Sequence, residues 1–261
     1  MKHLFVFLIL VVIFTGCGEG FGTASSNSGS KTDPTTVLQS SYATLLTVGD
    51  FLYAINNSEL TTFSLRDPKN PEEINRQDVG FDIENIFHQA GVLFIGSQQA
   101  ISIFLIGPDG IPRRQSSTDY FSSKDIKPCD PVIVDGEFAY VTLSTTAQQG
   151  PCRRTIQINE LRVYNVRDLS HPKLVSTLEI DKPKGLGIDG NYLFVCMATK
   201  GVAVLDKSNP QELKQIGNLE SFESYDLIAH EGLLMVVCPK EIRQYDYTDI
   251  HNILYLSSIE L

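Results

Sequence analysis

Five times along this chain a tight turn rich in glycine and acidic residues is followed by a short apolar run with a large residue in its third or fourth place. The runs are VGDFLY, AGVLF, DGEFAY, DGNYLF and EGLLM, and the large residues are Tyr53, Phe94, Tyr140, Phe194 and Met235, spaced 41, 46, 54 and 41 residues apart. A unit of about 41 residues cannot bury its own apolar face and must stack on copies of itself. A second marker keeps step with the first on the far side of one more apolar run. It closes at Pro71, Pro112, Pro172, Pro210 and Asn252.

The stretch Leu161 to Pro210 shows the unit most plainly. Apolar residues alternate with polar ones in runs of four to eight, bounded by Asp-Gly, Asn and Pro, the pattern of half-buried strands joined by turns. The fourth unit reads as strands at Gly185 to Ile188, Tyr192 to Ala198, Gly201 to Leu205 and Leu213 to Leu219. Gly190, in the Asp189-Gly190 turn, is expected to take a positive φ. No stretch carries a helical period beyond a couple of turns, so the class is all-β. Five units of four strands make a β-propeller of five four-stranded blades. The last unit ends in its own outer strand, Ile253 to Ile259, so the fifth blade is expected to pack directly on the first. The alternative is a clasp in which Thr36 to Ser40 pairs beside that strand.

The core at Asp189 to Val195 (DGNYLFV), echoed at Asp135 to Val141 (DGEFAYV), together with stretches such as LRVYNVRDLSHPKLV, resembles the LVIVD repeat, a β-propeller repeat of bacterial exported proteins. The resemblance runs from about Tyr42 to Leu261 and departs most from the pattern between Ile101 and Ser117. It implies a propeller fold and an exported location, and brings no particular activity with it.

The first residues carry an address. Lys2 and His3 precede an unbroken apolar run from Leu4 to Phe14, too short for a membrane span of about 20 residues and right for a signal peptide. Phe14-Thr15-Gly16-Cys17 resembles a bacterial lipobox, with Phe in place of the usual Leu. Residues 1–16 are therefore expected to be a lipoprotein signal peptide and Cys17 the acylated N-terminus; the alternative is an ordinary signal peptide cut elsewhere. Residues 17–36, rich in Gly, Ser and Thr, read as a flexible tether, and 37–261 as the propeller domain. The implied location is the bacterial cell envelope, at the outer membrane.

With 31 acidic and 21 basic residues the formal net charge is −10, which sets the chain against phosphate backbones and leaves nucleic acid an unfavoured partner. No HExxH, CxxC, GxSxG or phosphate-loop pattern occurs, and no cofactor is expected. Of the five cysteines, Cys196 and Cys238 lie inside apolar runs as core residues. Cys129 and Cys152 lie among turn formers on connectors that open on one rim, where they are expected to form a disulfide, with two free thiols as the alternative. His88 and His230 each precede a turn at matching places, and His171 and His251 sit in the opposite turns; all read as structural.

One constellation suggests chemistry. Counting back from the ends of the innermost strands gives Thr44, Glu84, Asp130, Lys184 and Asp226. Glu84, Asp130 and Asp226 would make an acidic ring at one channel mouth, able to hold a cation as in lactonase-like propeller enzymes; the alternative is a scaffold role in the connectors. The third unit also carries an insertion between Leu143 and Leu161, with Arg153 and Arg154, a candidate for binding carboxylates of a protein or an acidic sugar. The reading that results is a membrane-anchored, non-catalytic binding or scaffolding module with a protein or carbohydrate partner, against a metal-dependent hydrolase.

Overall fold

The computed structural model describes residues 44–121, 131–145, 158–220 and 222–261. They form twenty strands and one short 3₁₀ turn, Ala198–Lys200. The first blade contains β1 (Leu45–Val48), β2 (Phe51–Ile55), β3 (Glu59–Ser64) and β4 (Glu72–Asp78). The second contains β5 (Ile83–Gln89), β6 (Val92–Ser97), β7 (Ala100–Ile106) and β8 (Pro112–Asp119). The third contains β9 (Val132–Asp135), β10 (Phe138–Ser144), β11 (Asn159–Asn165) and β12 (Lys173–Glu179). The fourth contains β13 (Leu186–Asp189), β14 (Tyr192–Cys196), β15 (Val202–Asp206) and β16 (Lys214–Leu219). The fifth contains β17 (Asp226–His230), β18 (Leu233–Val237), β19 (Glu241–Asp246) and β20 (Leu254–Glu260). Each blade is an antiparallel meander of four consecutive strands, and neighbouring blades meet through their first strands. The protein is an all-β propeller of five blades, as the repeat predicts.

Register carries the repeat at single-residue precision. Tyr53, Phe94, Tyr140, Phe194 and Met235 each hold the third place of a second strand, opposite Thr62, Ile103, Val163, Val204 and Gln244 of the third. Immediately after that third-strand residue, every blade has a register shift between its third and fourth strands. Such a bulge sharpens local twist, and its recurrence gives each blade the same curl. The first turn of every blade has two residues. Gly49, Gly136 and Gly190 hold its first place with φ near +55°, and Ala90 and Glu231 do so before a glycine that is also positive. These are the primed turns whose twist suits a hairpin, and Gly190 behaves as its sequence predicts.

The marker on the opposite rim is an Asx turn. Asp67, Asp168, Asn209 and Asp249 each accept a hydrogen bond at the side chain from the backbone N–H two residues on, and at the carbonyl from the N–H three residues on. This corrects one alignment. Pro210 follows Asn209 directly and matches Pro68, Leu169 and Ile250, whereas Pro71 and Pro172 match Leu213. In the second blade a Gly107-to-Ile111 loop held by the Asp109–Arg113 pair replaces this turn, which explains why the pattern departs there.

Alternate residues of each blade face its two neighbours, and four hydrophobic clusters fill the four successive interfaces. Among the described residues none joins the fifth blade to the first. Direct packing of the last blade on the first is therefore not seen, and Thr36 to Ser40 lies outside the described residues.

Thr62 occupies the place held by Ile103, Val163 and Val204 in the next three blades; it is fully buried, and its hydroxyl has no hydrogen-bond partner. A methyl of the same shape would remove a desolvated polar group. Thr62→Val is expected to stabilise the domain by about 1 kcal/mol, read as a rise in Tm; a fall would show that the hydroxyl is satisfied.

Candidate functional site

The rim where the first strands begin gathers the chain's candidate chemistry. The chain enters β13 through Lys184 and Gly185, tied on both sides: the Lys184 carbonyl accepts from the Thr142 hydroxyl of the third blade at 2.7 Å, and the Gly185 N–H donates to the Tyr225 carbonyl of the fifth at 2.9 Å. Lys184 extends its ammonium over the Tyr225 ring, 4.1 Å from the centroid. Burial holds the Lys184 ammonium below the usual lysine range, against the opposing pull of Glu223. The Tyr225 hydroxyl donates to Glu223 at 2.8 Å, and that bond, more than burial, raises its pKa. Lysine, tyrosine and glutamate thus form one coupled surface group at the junction of the fourth and fifth blades.

Asp226 packs against Gly185 so closely that a Cβ on the glycine would lie 2.2 Å from the carboxylate and 2.6 Å from the aspartate Cα. Glu84 accepts from the Gln98 side-chain amide at 3.3 Å. Next to it, Asn85 makes a paired contact with the third blade, donating to the Val132 carbonyl and accepting from the Val132 N–H.

The proposed acidic ring is altered by register. Strand pairing aligns Asp226 and Thr44 with Asn85 and Gly185, so Glu84 and Lys184 stand one residue earlier. Successive residues of a strand point to opposite faces, and counting from strand ends concealed this offset. Asp130 lies outside the described residues. Among those described, no three of His, Cys, Asp and Glu come together in a metal-holding cluster.

The two ends of the third blade's insertion, Thr145 and Ile158, lie on this same rim. Its base is closed by the Ser144 hydroxyl on Asn159 and by Thr145, whose N–H donates to the Ile158 carbonyl and whose hydroxyl accepts from the Ile158 N–H. Arg153, Arg154, Cys152 and Cys129 lie outside the described residues, as does Cys17. Cys196 and Cys238 are free and buried in the apolar cluster between the fourth and fifth blades. Burial pushes both thiols up, so they are core residues as expected.

The histidines are structural where they can be followed. His88 accepts the Gly91 N–H at Nε2, a role open only to the neutral ring, and burial lowers its pKa accordingly. His171 pairs with Asp168 inside its Asx turn.

Sequence reasoning missed the polar links between blades on the far rim. The Gln89 side chain exchanges two hydrogen bonds with Gly136 of the third blade. Lys207 reaches Asp135 of the preceding blade, and Tyr247 donates to Asp189 in the same way. Gln89, Asp135 and Asp189 all end first strands, and Lys207 and Tyr247 each follow a third strand. The spacing was visible in the sequence, but the partners' identities vary from blade to blade.

Residues 183–220, the whole fourth blade with its entry, match the LVIVD repeat family. The chain carries an LVIVD repeat. No curated protein matches it by sequence. In fold it is similar to a protein from Lactobacillus plantarum, with a TM-score of 0.62 at 14% identity over 83% of this chain and 70% of that one. It is also similar to the periplasmic gluconolactonase PpgL of Pseudomonas aeruginosa, with a TM-score of 0.59 at 14% identity over 82% and 68%. BamB from Moraxella catarrhalis gives 0.54 at 11% identity over 74% and 53%. At such identities the likeness is one of fold, and this chain spans only part of each neighbour's length.

Gly185 is the residue on which this rim's geometry depends. Gly185→Ala is expected to separate the fourth and fifth first strands and lower Tm, because Asp226 and the Tyr225 carbonyl leave no room for a methyl. An unchanged Tm would mean that the contact is looser than described.

Proposed function

We propose that this protein is a lipid-anchored propeller of the bacterial cell envelope, held at the outer membrane through Cys17, and that it binds a protein or carbohydrate partner without catalysing a reaction. The observation that carries the non-catalytic reading is the use made of the rim's ionisable groups. Glu84 is engaged by Gln98, Lys184 lies on Tyr225 and Asp226 is packed on Gly185. Lys184 and Asp226 are used at the seam of the fourth and fifth blades and Glu84 within the second, and among the described residues no three His, Cys, Asp or Glu side chains gather as a metal-dependent hydrolase would need.

The binding surface proposed is this same rim with the third-blade insertion above it. Arg153 and Arg154 would supply positive charge to a strongly acidic chain, and guanidinium groups bind carboxylates in paired hydrogen bonds. A propeller suits this role because its blades fix the loops of one rim while the loop sequences vary freely. BamB gives a propeller precedent in fold only.

Two measurements test the reading. Cys17→Ser is expected to move the protein from the membrane pellet to the soluble exported fraction; retention in membranes with unchanged mass contradicts the anchor. With a partner recovered by pull-down of the lipidated protein from its native envelope, Arg153→Ala/Arg154→Ala is expected to weaken binding. Arg167→Ala/His171→Ala, on the opposite rim, should leave it unchanged. Equal affinity of the two double variants would remove the insertion from the mechanism.

A further inference from the structure

The outer strands of the first four blades are defended edges. β4 carries Glu72 and Glu73, β8 begins with Pro112 and carries Arg113 and Arg114, and β12 and β16 begin with Lys173 and Lys214. Charges and proline on an outer strand prevent another chain from adding to it. β20 has none of these at its start. It reads LYLSSIE, its single charge is Glu260 at the far end, and every residue of it is exposed. Leu254, Tyr255, Leu256 and Ile259 are each more than half exposed, and Leu261, just beyond, is 74% exposed.

At one end the edge continues into an apolar row: Ile259 lies across from Ile242 and then Val237, whereas Asp246 stands between Leu254 and Leu233. In the fourth blade Cys196 and Val202, the equivalents of Val237 and Ile242, are completely buried against the fifth blade. Polar links repeat the contrast. The Ser116 and Ser176 hydroxyls of β8 and β12 donate to carbonyls of the next blade, Leu169 and Pro210. Ser257 holds the same register place in β20 and donates within its own blade, to Gln244.

We propose that β20 is a self-association edge, along which two copies of the chain pair antiparallel to join their fifth blades into one continuous sheet. A second copy fits because an antiparallel pair about a twofold axis is self-complementary and closes at two. It sets the two Glu260 carboxylates at opposite ends of the ladder, so the strand's only charges do not face each other. It also covers apolar side chains with apolar side chains, and carries the apolar face beside Ile259 across the seam. A single strand pair with its flanking side chains is smaller than the roughly 800 Å² per partner of a standard interface, so the association should depend on concentration. This proposal does not rest on the rim reading given above.

The test is light scattering after size exclusion of the full lipidated chain in detergent, across a concentration series. The parent is expected to pass from one copy to two as concentration rises. Leu256→Lys/Ile259→Lys should weaken this by at least tenfold, while Leu174→Lys, on the outer strand β12, leaves it unchanged. Circular dichroism melting checks that both variants fold, which is expected because the substituted side chains are exposed. A parent that stays single at every concentration overturns the proposal, and would be the outcome if residues 36–40 of the same chain or a different protein took this edge. A dimer equally strong in the β20 variant overturns it as well.

Discussion

Everything in this propeller depends on the packing of one blade's face against the next. A four-stranded meander of this size has two apolar faces and no interior, so it gains its stability by covering them against neighbouring blades. The chain meets that demand by repetition. The same register places meet at each of four seams, among them Phe94 toward the third blade and Phe194 toward the fifth. Because each of the three inner blades contributes one face to each of two clusters, a change in such a blade can be felt at both of its seams.

Polar groups settle the angle that apolar contact leaves free. Apolar faces slide at little cost, whereas a hydrogen bond fixes a distance. On one rim Asn85, Thr142 and the Gly185–Tyr225 backbone bond link consecutive blades. On the other, Gln89, Lys207 and Tyr247 link the end of one first strand to the next blade. With both rims fastened, each blade has a defined tilt.

The blades were legible in the sequence because their causes are local. A two-residue turn with glycine at positive φ, an alternating strand and an Asx turn each announce themselves within a few residues, and Tyr53, Phe94, Tyr140, Phe194 and Met235 keep their register through insertions. The rim was less legible because it depends on a one-residue offset between strands. Glu84 and Asp226 look equivalent only if the first strand of the second blade ends at His88; it ends at Gln89, so four residues back falls on Asn85, the residue that pairing aligns with Asp226. The turn at Asn209-Pro210 misled for a similar reason, since proline fits more than one place in it. Links such as Lys207 to Asp135 span 72 residues and have no local signature at all.

Met235 and Phe194 hold the same place in successive blades, one on a face that no described blade covers and one sealed between neighbours. Comparing the Tm of Phe194→Ala with that of Met235→Ala therefore tests the packing account most directly. Phe194→Ala should cost about 3 to 5 kcal/mol, the loss typical of a buried aromatic, and Met235→Ala well under half of that. Equal losses would contradict the account, because they would require a further blade to lie against Met235.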